Sequence, residues 1–318
     1  MRKFGIPLIR FSTMHINQPI FSGQLIIDKV DADLTRENKV NLHVLRLDKL
    51  HPVISGNKWF KLKYYLADAV DKGYRKILTF GGAYSNHIVA AACAAKQYNF
   101  GITGIIRGEE PAEYSQSLTD ARNFGMELQF LSRNEYNSVK RSLIANIANR
   151  HFNDHYIIPE GGYGELGVKG AAEILQTTEL NNFTHIAAAI GTGCTIAGIL
   201  QGASRGQKVL GMSVMKNNNT LLQEIASLLD GAMPLNFQIV NDYHFGGYAK
   251  KSQLLLDFMN RFYRLSNIPL DFVYTGKLMY GIFDLIGKGY FPHGAKILVI
   301  HSGGLQGNRS LPSGILEF

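Results

Sequence analysis

The sequence predicts an α/β protein with mostly parallel sheets and helices on both faces. Short β-rich runs alternate with helical patterns along most of the chain. The runs, among them RKILTFGG, FGITGIIRG, FTHIAAAIGTG and AKILVIHSGG, are apolar throughout rather than alternating. That is the pattern of strands covered on both faces. No repeat of solenoid period, low-complexity segment or long linker interrupts the alternation.

Taken in order, the helix after Lys58 places Trp59, Leu62, Leu66, Ala69 and Val70 on one face, with Lys61, Lys63 and Asp68 off it. Gly73 is its natural stop. RKILTFGG is then a strand, SNHIVAAACAAKQY a helix and FGITGIIRG a strand. The helix SQSLTDARNFG leads to the strand MELQFLS, and the helix NSVKRSLIANIANRH leads to the strand HYIIPEGG. The helix LGVKGAAEILQTTEL precedes FTHIAAAIGTG. KVLGMSVM, a helix near Leu221 to Leu229, a long helix around Lys250 to Arg264, another from Gly276 and the strand AKILVIHSGG complete the series.

The bulk properties narrow the function. With 318 residues, 46% hydrophobic and 18% charged, the chain suits one large or two modest domains. No apolar run approaches the roughly 18 residues of a membrane span. MRKFGIPLIRFSTMHIN has no continuous apolar stretch or cleavage site, so neither signal nor anchor is expected. Cys93 and Cys194 form no disulfide framework or metal-type spacing, so no metal is expected and a reducing cytoplasm is. The net charge is +8, but Lys and Arg are spread without a basic stripe. Nucleic-acid binding is not expected, whereas a small anionic ligand suits the charge.

Five local features carry chemistry. Lys58, in ISGNKWFKLKYYLADA, opens a helix, where the dipole disfavours a cation. The placement suits a lysine near a phosphate, or one that forms a Schiff base. In FGGAYSNHIVAAA a strand ends at Phe80, two glycines turn the chain, and Ser85 caps a helix with Asn86 and His87 in its first turn. Such a helix start binds anions. In AIGTGCTIAGIL the residues Gly191, Thr192, Gly193, Cys194 and Thr195 wrap into a helix and resemble a phosphate cup. No GK[ST] follows, and no acidic residue ends the next strand, so neither a Walker loop nor a dinucleotide site fits. Cys194 is a small filler here rather than a nucleophile. DFVYTGKLMYGIF places Tyr274 and Thr275 at an expected strand end before a helix, and ILVIHSGG places Ser302 after the last strand. Ligands in such sheets bind beyond the carboxyl ends of strands. A lysine for an imine, a Gly/Thr cup, an anion-binding helix start and a hydroxyl for a pyridine nitrogen are the parts of a pyridoxal 5'-phosphate (PLP) site.

GNKWFKL, GGAYSNH, GTGCTIAG, VYTGK and HSGG, in this order, resemble the D-cysteine desulfhydrase / 1-aminocyclopropane-1-carboxylate deaminase family of tryptophan-synthase-β-like enzymes. The resemblance implies a fold type II PLP enzyme of two three-layer αβα domains. Residues 1–60 plus 170–318 would form the large PLP-binding domain, and 61–169 a smaller inserted one. It implies Lys58 as the Schiff-base lysine and Asn86 as partner of the cofactor 3'-oxygen. Lys61 and Gly191, Thr192, Gly193, Cys194 and Thr195 would hold the phosphate. Ser85, Asn86 and His87 would meet the substrate carboxylate, Tyr248 and Tyr274 would line the substrate side, and Thr275, helped by Ser302, would face the pyridine nitrogen. Lys58, Ser85 and Tyr274 would be catalytic, in a homodimer.

The deaminases of this family carry Gln at the position of His87 and Glu at that of Thr275. A carboxylate at the pyridine nitrogen makes a strong electron sink, which opening a cyclopropane requires. A neutral Thr suffices for β-elimination of a thiol. The expected reaction is therefore D-cysteine to pyruvate, sulfide and ammonia, with Lys58 as base at a depressed pKa. The alternatives are 1-aminocyclopropane-1-carboxylate deamination to 2-oxobutyrate and ammonia, and a non-catalytic PLP-binding protein. Trp59-Phe60 and the tail GGLQGNRSLPSGILEF depart from the family pattern.

Overall fold

A computed structural model describes residues 25–138, 152–176, 178–216, 218–231 and 233–318. Among the described residues ten strands form two sheets: β1 (Ile27–Val30), β2 (Asn41–Arg46), β3 (Lys76–Gly82), β4 (Gly101–Arg107), β5 (Met126–Leu131), β6 (His155–Ile158), β7 (His185–Ile190), β8 (Lys208–Ser213), β9 (Phe237–Val240) and β10 (Lys296–His301). The larger sheet has the order β1-β2-β10-β7-β8-β9, and the smaller β5-β4-β3-β6. Only the β1–β2 pair is antiparallel among those described. The expected α/β class with parallel sheets is the one observed.

The helices fall on both faces because the strands are apolar on both. One core, with Val44, Leu210, Met259, Phe262, Ile282 and Val299, lies on one side of the larger sheet. Another, with Leu45, Ile174, Ile186, Ile196, Ile199 and Ile300, lies on the other. Alternate residues of β2 and β10 thus feed opposite cores, as the two-residue strand period requires. The third core joins the helix Asn57–Asp71, the helix Asn86–Gln97 and the smaller sheet through Trp59, Leu62, Leu66, Ile77, Ile88 and Ile102.

Trp59, Leu62, Leu66 and Ala69 are buried as the periodicity predicts, and Gly73 stops the helix with φ 77°. Lys61, expected off the stripe, is also buried. Two further expectations need correction. LGVKGAAEILQTTEL is helical only over Glu165–Ala172, then tightens into a 3₁₀ turn at Glu173–Leu175. DFVY is not a strand but a turn, because the Asp271 side chain takes up the backbone N–H groups of Val273, Tyr274 and Thr275. The helix expected at NSVKRSLIANIANRH lies largely outside the described residues. Strands β1, β2 and β9 are additions to the series expected from the sequence. No described helix is long and apolar enough to cross a membrane.

Candidate active site

The site begins at Gly56. Its φ of 70° and ψ of −141° favour glycine, and a Cβ there would lie 1.8 Å from the Ser302 carbonyl oxygen. This close approach brings the helix Asn57–Asp71 against the end of β10, where the Asn57 N–H donates to Ser302 O at 3.2 Å. Gly303 has φ 77°, and a Cβ on it would come within 2.9 Å of the Gly56 backbone. Ser302 therefore seats the lysine helix through its carbonyl.

Lys58 follows in the first turn and is partly buried. Its ammonium donates to Asn57 Oδ1 at 2.8 Å. Burial, and then the neighbouring Lys61, push the Lys58 ammonium down to about 7, partly opposed by Asp271. Burial likewise lowers Lys61, which is 4% exposed. Neither lysine forms an ion pair with a carboxylate among the described residues. Two adjacent amines without a carboxylate partner repel each other when charged, and a phosphate placed there would relieve that repulsion.

The loop Gly191–Thr195 lies at that place. A Cβ on Gly161 would sit 3.7 Å from the Thr192 hydroxyl and 3.8 Å from Lys61 Nζ, so the ammonium and the loop converge. Gly193 is left-handed, with φ 81°, and the helix Cys194–Gly202 starts there. Its first-turn N–H groups lack intrahelical acceptors. Asn57 Nδ2 donates to Thr195 Oγ1 at 2.7 Å in a buried contact, tying the loop to the lysine helix. The Cys194 thiol points to Gly162 O at 3.3 Å, and burial raises its pKa. It fills space beneath the loop.

The helix Asn86–Gln97 supplies another wall. Ser85 caps it, accepting from Ile88 N at 3.4 Å. A Cβ on Gly304 would sit 3.1 Å from Asn86 Nδ2 and 3.5 Å from Asp271 Oδ1, so these groups also meet. Asn86 Oδ1 is buried without a protein partner, as is His87 Nδ1. Thr79 gives its one hydroxyl proton to Ile158 O at 2.9 Å and meets His87 Nε2 at 2.8 Å. His87 Nε2 must then be the donor, leaving Nδ1 as a bare acceptor. Burial, with Lys61 and Lys58 nearby, holds His87 well below its usual range and neutral. The His87 side chain thus offers no proton to a carboxylate.

The Tyr274 ring lies against Gly191, where a Cβ would come 3.1 Å from its Cε1. Tyr248 meets Tyr274 edge to face, with centroids 5.9 Å apart. Burial, then Tyr248, push Tyr274 well above its usual range, so it is a neutral phenol. Burial also raises Tyr248, though the residue remains 45% exposed. Thr275 is buried at the start of the helix Thr275–Gly287 and donates to Asp271 Oδ1 at 2.8 Å.

Several residues of the site are not evident from local motifs. Lys277 is fully buried and donates to His244 O at 2.9 Å and Gly247 O at 2.6 Å, fixing the loop that carries Tyr248. Burial pushes it down to about 8. Asp271 is fully buried, and burial raises its carboxyl despite the N–H and hydroxyl donors around it. Glu160 adds negative charge near both tyrosines. Asn308, in the tail, accepts from Phe272 N at 3.1 Å and donates to Leu270 O at 2.8 Å, clamping the segment around Asp271. A lysine on the apolar stripe of VYTGKLMYGIF and an acid four residues before Thr275 are the signals the sequence holds for two of them.

These residues fit pyridoxal phosphate: a depressed amine, an unpaired buried cation beside a Gly/Thr loop, and an orphaned Asn86 oxygen on the facing wall. Comparison with known proteins agrees. A family model described as "Pyridoxal-phosphate dependent enzyme" matches residues 31–303. A putative 1-aminocyclopropane-1-carboxylate deaminase of Pyrococcus horikoshii is 31% identical, with 86% of this chain and 88% of that one covered. The mitochondrial bifunctional D-cysteine desulfhydrase/1-aminocyclopropane-1-carboxylate deaminase of Arabidopsis thaliana is 32% identical, with 95% and 80% covered. A solved structure of an ACC deaminase homologue superimposes with a TM-score of 0.76 at 28% identity, covering 91% and 92%. With its lysine, loop and facing helix in these positions, the chain belongs to the pyridoxal-phosphate-dependent enzymes, in the family of the 1-aminocyclopropane-1-carboxylate deaminases and D-cysteine desulfhydrases.

Proposed function

We propose that the protein converts D-cysteine and water to pyruvate, hydrogen sulfide and ammonia. The observation that carries this reading is the Lys58 amine, pushed down to about 7 chiefly by burial, in a site where the buried Tyr274 phenol, neutral, feels the same Asp271 charge. Bound pyridoxal phosphate supplies an aldehyde that condenses with amines and a ring that accepts the electron pair left when the Cα–H bond breaks. Lys61 and the loop Gly191–Thr195 would hold its phosphate, and the Asn86 amide would face its ring oxygen. The N–H groups at the start of the helix Asn86–Gln97, with Ser85, receive the substrate carboxylate. His87 shapes this wall as a neutral acceptor. Lys58, about half neutral near pH 7, takes the Cα proton. Tyr274 gives a proton to the departing sulfur.

A second reading, deamination of 1-aminocyclopropane-1-carboxylate, is favoured by the names of the relatives and by the carboxylate of Asp271 behind Thr275. A division into a large unit of approximately residues 1–60 plus 170–318 and a smaller one of approximately 61–169 is supported by strand membership, since β3 to β6 alone build the smaller sheet, while both bounds fall inside helices, Asn57–Asp71 and Glu165–Ala172.

The test is to give D-cysteine and, separately, 1-aminocyclopropane-1-carboxylate to the PLP-loaded protein and to its Lys58→Ala variant. Pyruvate with equimolar sulfide from D-cysteine, abolished in the variant, supports the reading. Sulfide release that survives the substitution removes Lys58 from the role. 2-Oxobutyrate from the cyclopropane without sulfide from D-cysteine selects the second reading.

A further inference from the structure

The Asp271 carboxylate is saturated by donors. Oδ2 accepts the N–H groups of Val273 and Tyr274, both at 2.9 Å. Oδ1 accepts the Thr275 N–H at 2.9 Å and the Thr275 hydroxyl at 2.8 Å. In return, the Asp271 N–H donates to Thr275 Oγ1 at 2.8 Å. A hydroxyl has one proton and two lone pairs. Here Asp271 Oδ1 receives the proton and the Asp271 N–H occupies one pair. One lone pair remains, so Thr275 can only accept from anything else that reaches it.

The cluster faces the cofactor region. Asp271 lies beside Gly304 and Asn86, and Tyr274, next to Thr275, packs on Gly191. A ring nitrogen that meets an acceptor must carry a proton, because a bare one would set lone pair against lone pair.

We infer that the Asp271 carboxylate fixes the Thr275 hydroxyl as a hydrogen-bond acceptor and so holds the ring nitrogen of bound pyridoxal phosphate protonated. This rests on the proposed function and on the placement of Thr275 at that nitrogen that the family resemblance implies. Asp271 is a positioning residue that acts through Thr275. A protonated ring is the stronger electron sink, so the site is not confined to substrates with an easily expelled thiol. The neutral threonine does by proxy what a carboxylate at its position would do directly.

The experiment loads the protein with PLP carrying ¹⁵N in the ring and reads the nitrogen chemical shift, which moves far upfield on protonation. Expected at pH 7.5 is a protonated nitrogen in the wild type and in Thr275→Ser, which keeps the hydroxyl. Thr275→Val keeps the shape and leaves Asp271 with its backbone donors, and should lose the protonated signal. Asp271→Asn should lose it too, and because that variant also disturbs the turn, Thr275→Val is the deciding one. A bare nitrogen in the wild type overturns the inference while leaving Thr275 at the ring, if Thr275→Val still shifts the resonance. A protonated signal unchanged in Thr275→Val overturns the placement of Thr275 itself. PLP that fails to bind at all would instead defeat the proposed function.

Discussion

Asn57 and Thr195 are joined by a buried hydrogen bond of 2.7 Å that ties the lysine helix to the loop Gly191–Thr195. Asn57 opens the helix packed on the smaller sheet, while Thr195 sits in the loop leaving β7 of the larger one. The same Asn57 side chain accepts from the Lys58 ammonium through Oδ1. One amide therefore bridges the lysine and the loop Gly191–Thr195. Asn57→Ala should cost roughly 1–3 kcal/mol of stability, since Thr195 Oγ1 loses a buried partner. It should also weaken PLP retention, read by equilibrium dialysis. Unchanged retention would show that the loop holds its position without Asn57.

The depressed Lys58 predicts how the cofactor-free protein captures PLP. Only the neutral amine reacts, and the neutral fraction rises with pH through about 7. The capture rate should rise about tenfold from pH 6 to pH 8 and then level. Stopped-flow absorbance follows it. A rate that keeps climbing beyond pH 9 would mean an ordinary lysine.

Lys61 is a buried amine with no carboxylate partner among the described residues, and an anion there would favour its charged form. Inorganic phosphate should raise the melting temperature of the cofactor-free protein in a concentration-dependent way. In Lys61→Ala that effect should vanish, and the variant should match or exceed the wild type without phosphate, because an unpaired buried charge is gone. Equal phosphate stabilisation in both proteins would place the anion elsewhere.

Gly56 tolerates no side chain. Gly56→Ala would put a methyl group into the Ser302 carbonyl and strain a φ of 70°. A loss of at least about 3 kcal/mol is expected in denaturant unfolding. A loss under about 1 kcal/mol, small enough for relaxed backbone to absorb, would mean that β10 and the lysine helix are free to separate.

Cys194 should be inert. Its thiol is buried in the loop Gly191–Thr195 and its pKa is raised. Alkylating reagents should leave it unmodified in the folded protein. Cys194→Ser should retain PLP, with the hydroxyl donating to Gly162 O in place of the thiol. Rapid alkylation at neutral pH would show that the loop opens.

The lysine helix, the capped helix at Ser85 and the glycine loop each have a local sequence cause, so each is legible along the chain and appears in place. What stays hidden depends on contacts between distant segments. Asn57 reaches Thr195, Lys277 reaches the Tyr248 loop, and Asn308 clamps Leu270 to Phe272. Periodicity treats every lysine as solvated, which puts Lys61 off the helix stripe although it is buried. DFVY resembles a strand because Phe, Val and Tyr favour strands. One carboxylate, Asp271, turns it by capturing three backbone N–H groups.

The strand order has a consequence for synthesis. β10 is the last described strand to leave the ribosome, yet it lies inside the larger sheet, between β2 and β7. Until it arrives, β2 and β7 each present an open edge, a template for pairing with other chains. The smaller sheet, complete by Ile158, meets no such delay. Nascent chains should therefore carry one finished sheet and one interrupted one through most of the second half of elongation. Cofactor capture must wait for the residues around Ser302 that seat Gly56.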